Sequence, residues 1–245
     1  MPDPFSWLMY IPQIGHHHEW LAVAHAWIVV AFLVLLAVLV ARKIKKVDAV
    51  SPREDLVPED GLTLRNAFEL YVENILGMMD GMLGAESPRY FWLIGTIFVY
   101  IFVSNLMGLV PGFLPPTENI NNNLAISLTV FVVYNGIGIK AHGAGYIKHF
   151  LGPVAWLAPL MIIVEMISHV VRPVTLAIRL FGNINGDHIV LTIFSQLLPG
   201  IFHPILGLGI PIPFIALGIF VSAMQAFVFA LLSTIYISMA VAHAH

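Results

Sequence analysis

Cysteine is absent from the 245 residues, which excludes disulfide staples, thiolate metal sites and cysteine catalysis. Charge is scarce: Asp, Glu, Lys and Arg together make up 10% of the chain, against about 25% in an average soluble protein. No basic excess exists either, since 11 Lys and Arg face 14 Asp and Glu for a formal charge of -3. That removes the electrostatic footprint of a nucleic-acid binder. His-Glu-x-x-His, a glycine-rich phosphate loop and a nucleophile elbow are all missing, so no hydrolase is indicated and no cofactor is called for. Met1-Pro2-Asp3-Pro4 lacks the basic start of a cleaved signal peptide, and the first apolar run is expected to stay as a span. What the chain has in excess is apolar surface, with 59% hydrophobic residues and a mean hydropathy of +0.88. Several of its apolar runs match the roughly 20 residues needed to cross a bilayer core of about 30 Å. A soluble monomer is excluded.

The first run, Trp20 to Ala41, is interrupted only by His25 and is followed at once by Arg42, Lys43, Lys45 and Lys46. The positive-inside rule makes those cations cytoplasmic and puts the N-terminal segment 1–19 outside. Residues 42–61 hold Pro52, Pro58 and a cluster of acids, and are expected to form a cytoplasmic linker. From 62 to 84, Asn66, Glu69, Glu73 and Asp80 fall on one stripe at 100° per residue, which predicts an amphipathic interfacial helix. Its polar face is acidic, which favours packing against protein over anchoring to anionic lipid. Residues 90–139 read as a transmembrane hairpin. Its outer loop, 111–123, is set by Pro111, Pro115 and Pro116, which cannot donate backbone hydrogen bonds. Lys140, His142, Lys148 and His149 then mark a cytoplasmic loop over 140–153. Apart from Arg172 and Arg179, every Lys and Arg lies on or near the inner side in this topology.

Residues 154–245 contain the unusual part. From Pro153 to Leu198 the chain is almost continuously apolar, and about 45 residues of helix would be nearly 70 Å long, roughly twice the membrane. Two upright spans would need a polar turn, but the middle reads Ser168-His169-Val170-Val171-Arg172-Pro173. One long helix, kinked at Pro173 and strongly tilted, is therefore expected, paired as a hairpin with the apolar tail Pro213 to Ala242. On it Glu165, His169, Arg172, Arg179, Asn183 and Asp187 are spaced 4, 3, 7, 4 and 4, which puts all six within about 40° of one line. An arginine near the bilayer centre costs from about 2.5 to well over 10 kcal/mol. Two on one stripe therefore need water or carboxylates beside them. Glu165 and Arg172, one heptad apart, can neutralise each other. Arg179 has its nearest candidate acid, Asp187, about 12 Å away along the axis, so its partner is sought on another chain. In the last helix Ser222, Gln225 and Tyr236 share one side, and Gln225 can satisfy guanidinium donors of Arg179.

Weaker signals are His16-His17-His18-Glu19 and the C-terminal His243 and His245, read as fortuitous clusters and not as metal sites. The intramembrane histidines His25, His169 and His188 do not face each other from separate spans in the way haem ligation would need, since the last two share one helix.

Three stretches resemble a known family. They are Arg172-Pro173-Val174-Thr175-Leu176-Ala177-Ile178-Arg179-Leu180-Phe181-Gly182-Asn183; Gln225-Ala226-Phe227-Val228-Phe229 on to Tyr236-Ile237-Ser238-Met239-Ala240; and Asn105-Leu106-Met107-Gly108-Leu109-Val110-Pro111 with the Pro-Pro-Thr-Glu-Asn loop. Together they are similar to the membrane-embedded stator subunit a of F-type ATP synthases. The resemblance implies an all-α integral membrane protein: five membrane-embedded helices and one amphipathic interfacial helix, the last two long helices forming a tilted hairpin. It implies a non-catalytic subunit of the bacterial cytoplasmic membrane, N-terminus outside and C-terminus inside, that moves protons through two half-channels. Its implied partners are a ring of small carboxylate-bearing rotor subunits, the peripheral-stalk subunits and lipid. By resemblance Arg179 is the essential arginine, Gln225 the glutamine facing it, and Glu165 and His188 hold half-channel positions. Two positions depart from the pattern. Some members carry Glu at the place of His188 and a histidine at the place of Gly218, which leaves Asp187 as the candidate substitute, and Arg172 stands where other members carry lysine or another residue. A self-contained ion channel or secondary transporter is the rival reading, but the two halves lack the similarity of inverted repeats. A purely structural scaffold does not explain Arg179.

Overall fold

In hydrocarbon an unpaired backbone N–H or C=O costs several kcal/mol, so a single apolar segment spans as a helix. The computed structural model describes residues 6–10, 18–48, 63–110, 112–143, 145–146, 158–197 and 211–242. Its helices are α1 (His18–Asp48), α2 (Leu64–Leu83), α3 (Ser87–Met107), α4 (Ile120–His142), α5 (Ala158–Leu197) and α6 (Pro211–Ala242), and no strand occurs among the described residues. Five stretches are long and apolar enough to cross a membrane: Trp20–Arg42, Leu64–Met107, Ile120–His142, Leu160–Gly186 and Ile215–Val241. The protein is an all-α integral membrane protein.

Local chemistry moves several boundaries from where the sequence reading puts them. α1 continues through Arg42–Asp48, the expected start of the linker, because straight-chain Arg and Lys lose little freedom in a helix. α2 begins at the Thr63 cap, whose Oγ1 accepts the Asn66 N–H at 3.3 Å, and carries an Arg65–Glu69 pair at 2.7 Å one turn apart. It ends at Gly84, where φ is +56°, and a short 3-10 turn over Gly84–Glu86 leads straight into α3 at Ser87, ahead of the expected Tyr90. The expected outer loop 111–123 is shorter than its prolines suggest. A 3-10 turn occupies Pro116–Glu118, and Asn119 caps α4 by accepting the Asn121 N–H at 2.9 Å, so Asn121, Asn122 and Asn123 are helical. α4 then passes Ile139 and stops at His142, closed by Gly143 with φ +55°.

The acidic stripe of α2 is exposed at Glu69, Glu73 and Asp80, whereas Ile75 and Met79 are buried against α3 and α6. The core proper lies between α3, α4, α5 and α6, with Ile94, Ile101, Val130, Tyr134, Leu180, Phe229 and Ile237 fully buried or nearly so. α6 packs chiefly on α3 and α4, and α5 chiefly on α4. The two long helices touch each other less than either touches that scaffold.

Two ends of the bundle can be told apart. At one, Trp7 N–H bonds Gly112 O at 3.1 Å, Thr117 Oγ1 donates to Asn105 Oδ1 at 2.7 Å, and Leu109 fills the space beside Gly218, where a Cβ would stand 2.5 Å from its methyl. His25 of α1 is buried there, its Nδ1 donating to Leu21 O at 2.7 Å and its Nε2 3.3 Å from Ser6 Oγ. At the other end Ser238 Oγ donates to Met82 O at 2.9 Å and His142 Nε2 donates to Ala240 O at 3.0 Å. Lys140 stands within a turn of that second end.

α5 is one element of 40 residues with Pro173 inside it. Proline has no N–H, so the carbonyl of His169 loses its helical donor, yet the helix is not interrupted. Because the chain has no cysteine of its own, spin labels can be introduced cleanly at Leu160→Cys and Val190→Cys. A continuous helix puts the two backbone positions about 45 Å apart. A pulsed electron-spin distance below roughly 25 Å would mean two upright spans folded on each other and would overturn the single-helix architecture.

Candidate functional site

The polar stripe of α5 divides into two places. Toward its N-terminal half, Arg172 Nη2 lies 4.0 Å from Glu165 Oε1, and its guanidinium carbon stands 5.5 Å from the centre of the Tyr236 ring on α6. His169, between them in sequence, is buried and turned toward α4: its Nε2 is 2.7 Å from Asn135 Oδ1 and 3.4 Å from the Tyr134 hydroxyl. Asn135 is itself oriented by donating from Nδ2 to Phe131 O at 2.7 Å, which leaves its oxygen to accept. That oxygen also takes the Tyr146 hydroxyl at 3.0 Å, so His169 Nε2 must carry a hydrogen. Burial pushes the Tyr146 phenol above its ordinary range and keeps it protonated, as a donor should be. The rings of Phe131 and Tyr134 stand edge-on to His169 with centres 5.2 and 5.5 Å away.

The second place lies two turns further on. Arg179 and Asn183 of α5, with Phe220, Val221, Met224, Gln225 and Val228 of α6, line an open cleft of about 280 Å³. Arg179 and Asn183 are exposed to it, while Gln225 is buried. Gln225 Oε1 accepts a hydrogen bond from Asn183 Nδ2. The amide therefore meets the stripe as expected, but its oxygen engages Asn183 and not the guanidinium. Among the described residues Arg179 has neither an ion pair nor a hydrogen bond. A cation in such a cleft, without a counter-ion among the described residues, can accept a carboxylate.

The structure thus groups Glu165, His169 and Arg172 at one site and Arg179, Asn183 and Gln225 at another. Asp187 and His188 lie on α5, but their side chains fall outside the described residues, as do those of His16, His17, His18, His243 and His245. Among the described residues no three His, Asp or Glu come together in a metal-holding group. Sequence reasoning misses Asn135, Tyr134 and Tyr146. A lone asparagine in the run Leu124 to Ile139 was the available signal, since a buried amide needs partners. Ser222 is buried on α6.

A family model described as ATP synthase A chain matches residues 23–238. Among curated proteins, ATP synthase subunit a of Citrifermentans bemidjiense is 44% identical over 224 residues, covering 91% of this chain and 89% of the relative. ATP synthase subunit a 3 of Pelobacter propionicus is 42% identical with the same coverage. ATP synthase subunit a 1 of Syntrophotalea carbinolica is 38% identical over 255 residues, covering 100% of both chains.

The Asn183 to Gln225 bond ties the two long helices together where they otherwise touch little, so the two residues should be energetically coupled. In a double-mutant cycle of Asn183→Leu and Gln225→Leu, read by denaturant titration in mixed micelles, a coupling of about 0.5–1.5 kcal/mol is expected. Additive effects would mean that the bond does not hold the pair.

Proposed function

The chain belongs to the ATP synthase A chain family, and from that premise we propose that it carries protons across the membrane as the stator partner of a rotating ring of carboxylate-bearing subunits. The observation that carries this reading is Arg179: a cation exposed in a cleft between α5 and α6, with no counter-ion among the described residues. A ring carboxylate arriving within about 4–6 Å of it would lose its proton readily, because an opposite charge at that range lowers a carboxyl pKa by one to three units. The same fixed charge repels hydrated protons and bars a direct leak past the cleft. Proton movement is thereby tied to ring rotation, and each charge falling through 100 mV contributes about 2.3 kcal/mol toward ATP made elsewhere in the complex.

Two offset aqueous half-channels complete the proposal. Glu165 belongs to the cytoplasmic one and Asp187 or His188 to the outer one, since about 22 residues of helix put them roughly 33 Å apart along the axis. The antiparallel run of α5 along α4 supports it: His169 meets Asn135 and Glu165 lies within electrostatic reach of Tyr146, just past α4, while the 3-10 turn Pro116–Glu118 at the start of α4 also packs on α5. The clustering of Lys140 and the end of α6 at one end of the bundle supports a cytoplasmic C-terminus, with the hairpin tilted in the bilayer. This subunit does no ATP chemistry itself; the peripheral stalk and lipid hold it still. Membership of the family favours this reading over a self-contained channel or transporter.

Arg179→Ala should abolish proton-driven ATP synthesis in vesicles containing the whole complex, with assembly kept and passive proton conductance equal or higher. Arg179→Lys should recover only part of the rate, because an ammonium keeps the charge but loses the planar fork. Gln225→Leu should be milder, since the charge stays. Near-normal coupled synthesis by Arg179→Ala would overturn the proposal.

A further inference from the structure

Two side-chain contacts join the long helices, and they share one register. Arg172 over the Tyr236 ring and Asn183 on Gln225 lie eleven residues apart on α5 and eleven apart on α6, so the helices run antiparallel at a constant offset. Between these contacts each helix covers about 16 Å, and Arg179 opens from α5 inside that interval. The two walls do not hold each other at their spacing, because each packs more closely on α4 than on the other.

One side chain of α4 reaches both walls. Tyr134 is 2% exposed, and its ring centre stands 5.5 Å from that of His169 on α5 and 5.8 Å from that of Tyr236 on α6. Its hydroxyl is 3.4 Å from His169 Nε2. Both neighbours are held from their far sides, His169 by Asn135 and Tyr236 by the Arg172 guanidinium. Phe131, nearly one turn earlier on α4, stands edge-on to Tyr134 and to His169, and the adjoining Val130 is fully buried, so the ring has no room to swing aside.

We propose that Tyr134 is the spacer that holds α5 and α6 apart at the Arg172 end of the cleft, and that it thereby positions Arg179 for an incoming carboxylate. The positioning role rests on the reading of Arg179 given above; the spacing does not. An aromatic ring is rigid and prefers centre-to-centre distances of about 4.5–7 Å, so a ring in contact with two others fixes a width that a flexible aliphatic chain does not. Without it a void would open between His169 and Tyr236, and a packed interior closes such voids as far as its backbone allows. α5 would then lean toward α6 about the Asn183–Gln225 bond and carry Arg179, two turns from Arg172, along with it. A misplacement of about 1 Å can cost on the order of 100-fold in rate.

The test uses the whole complex in vesicles, with its other subunits free of cysteine. Nitroxides are placed at Ile178→Cys on α5 and Phe227→Cys on α6, both exposed and outside the lining of the cleft. Dipolar broadening between the labels reports the spacing, and proton-driven ATP synthesis per assembled complex, measured without labels, reports the function. Tyr134→Leu should increase the broadening and lower synthesis by about 10- to 100-fold. Tyr134→Phe, which keeps the ring, should match the parent in both. Unchanged broadening in Tyr134→Leu overturns the inference, as does a Tyr134→Phe that behaves like Tyr134→Leu. Increased broadening with parental synthesis overturns the positioning role. If Arg179→Ala in the parent still makes ATP, the reading of Arg179 fails and the positioning role with it, while the broadening decides the spacing on its own. Should Tyr134→Leu not assemble, Tyr134→Met takes its place, and broadening equal to that of Tyr134→Phe would overturn the inference.

Discussion

A guanidinium placed halfway along an apolar helix is the constraint that organises this molecule. Charge in a low-dielectric surround has to be hydrated, paired or both, and the chain meets that requirement differently at its two intramembrane arginines. Arg172 is satisfied internally, by a carboxylate on its own helix and an aromatic face on the next. Arg179 opens into a cleft instead, beside an amide pair whose hydrogen bond is spent on itself. The first arrangement is complete within the chain, whereas the second has no negative charge among the described residues.

The scaffold around these arginines explains how such a site stays in shape. α5 and α6 touch each other sparingly; α5 is seated on α4, and α6 on α3 and α4. Among the described residues the polar cross-ties between the long helices are Arg172 on Tyr236 and Asn183 on Gln225. Apolar side chains are exposed along both, at Ile163, Val170, Val174 and Ile178 on α5 and at Ile219, Phe220 and Phe227 on α6. The cleft thus lies between two walls anchored largely on other helices, with apolar flanks.

Much of this is legible in the residues alone, for reasons of period and length. The helical class follows from apolar runs, and the unbroken α5 follows from the want of any polar turn around Arg172 and Pro173. The shared face of Glu165, His169 and Arg172 follows from spacing. What spacing cannot give is register between helices. His169 meets Asn135 because α5 runs antiparallel along α4, and no pattern within either helix encodes that offset. The same holds for Gln225, whose place beside the stripe is foreseeable while its choice of Asn183 over Arg179 depends on fractions of a turn. Boundaries fail where local capping overrides hydropathy, as at Asn119, which starts α4 among residues polar enough to pass for loop.

Gly218 joins two distant parts of the chain through one small volume. A Cβ built on it would stand 2.5 Å from a methyl of Leu109. The two positions belong to α6 and to the turn after α3, far apart in sequence, yet they compete for the same space. The atom in the way is the end of a rotatable side chain and not backbone, so a larger residue at 218 would first turn Leu109 into another rotamer. The packing of the turn after α3 is thereby made sensitive to the size of a single residue near the start of α6.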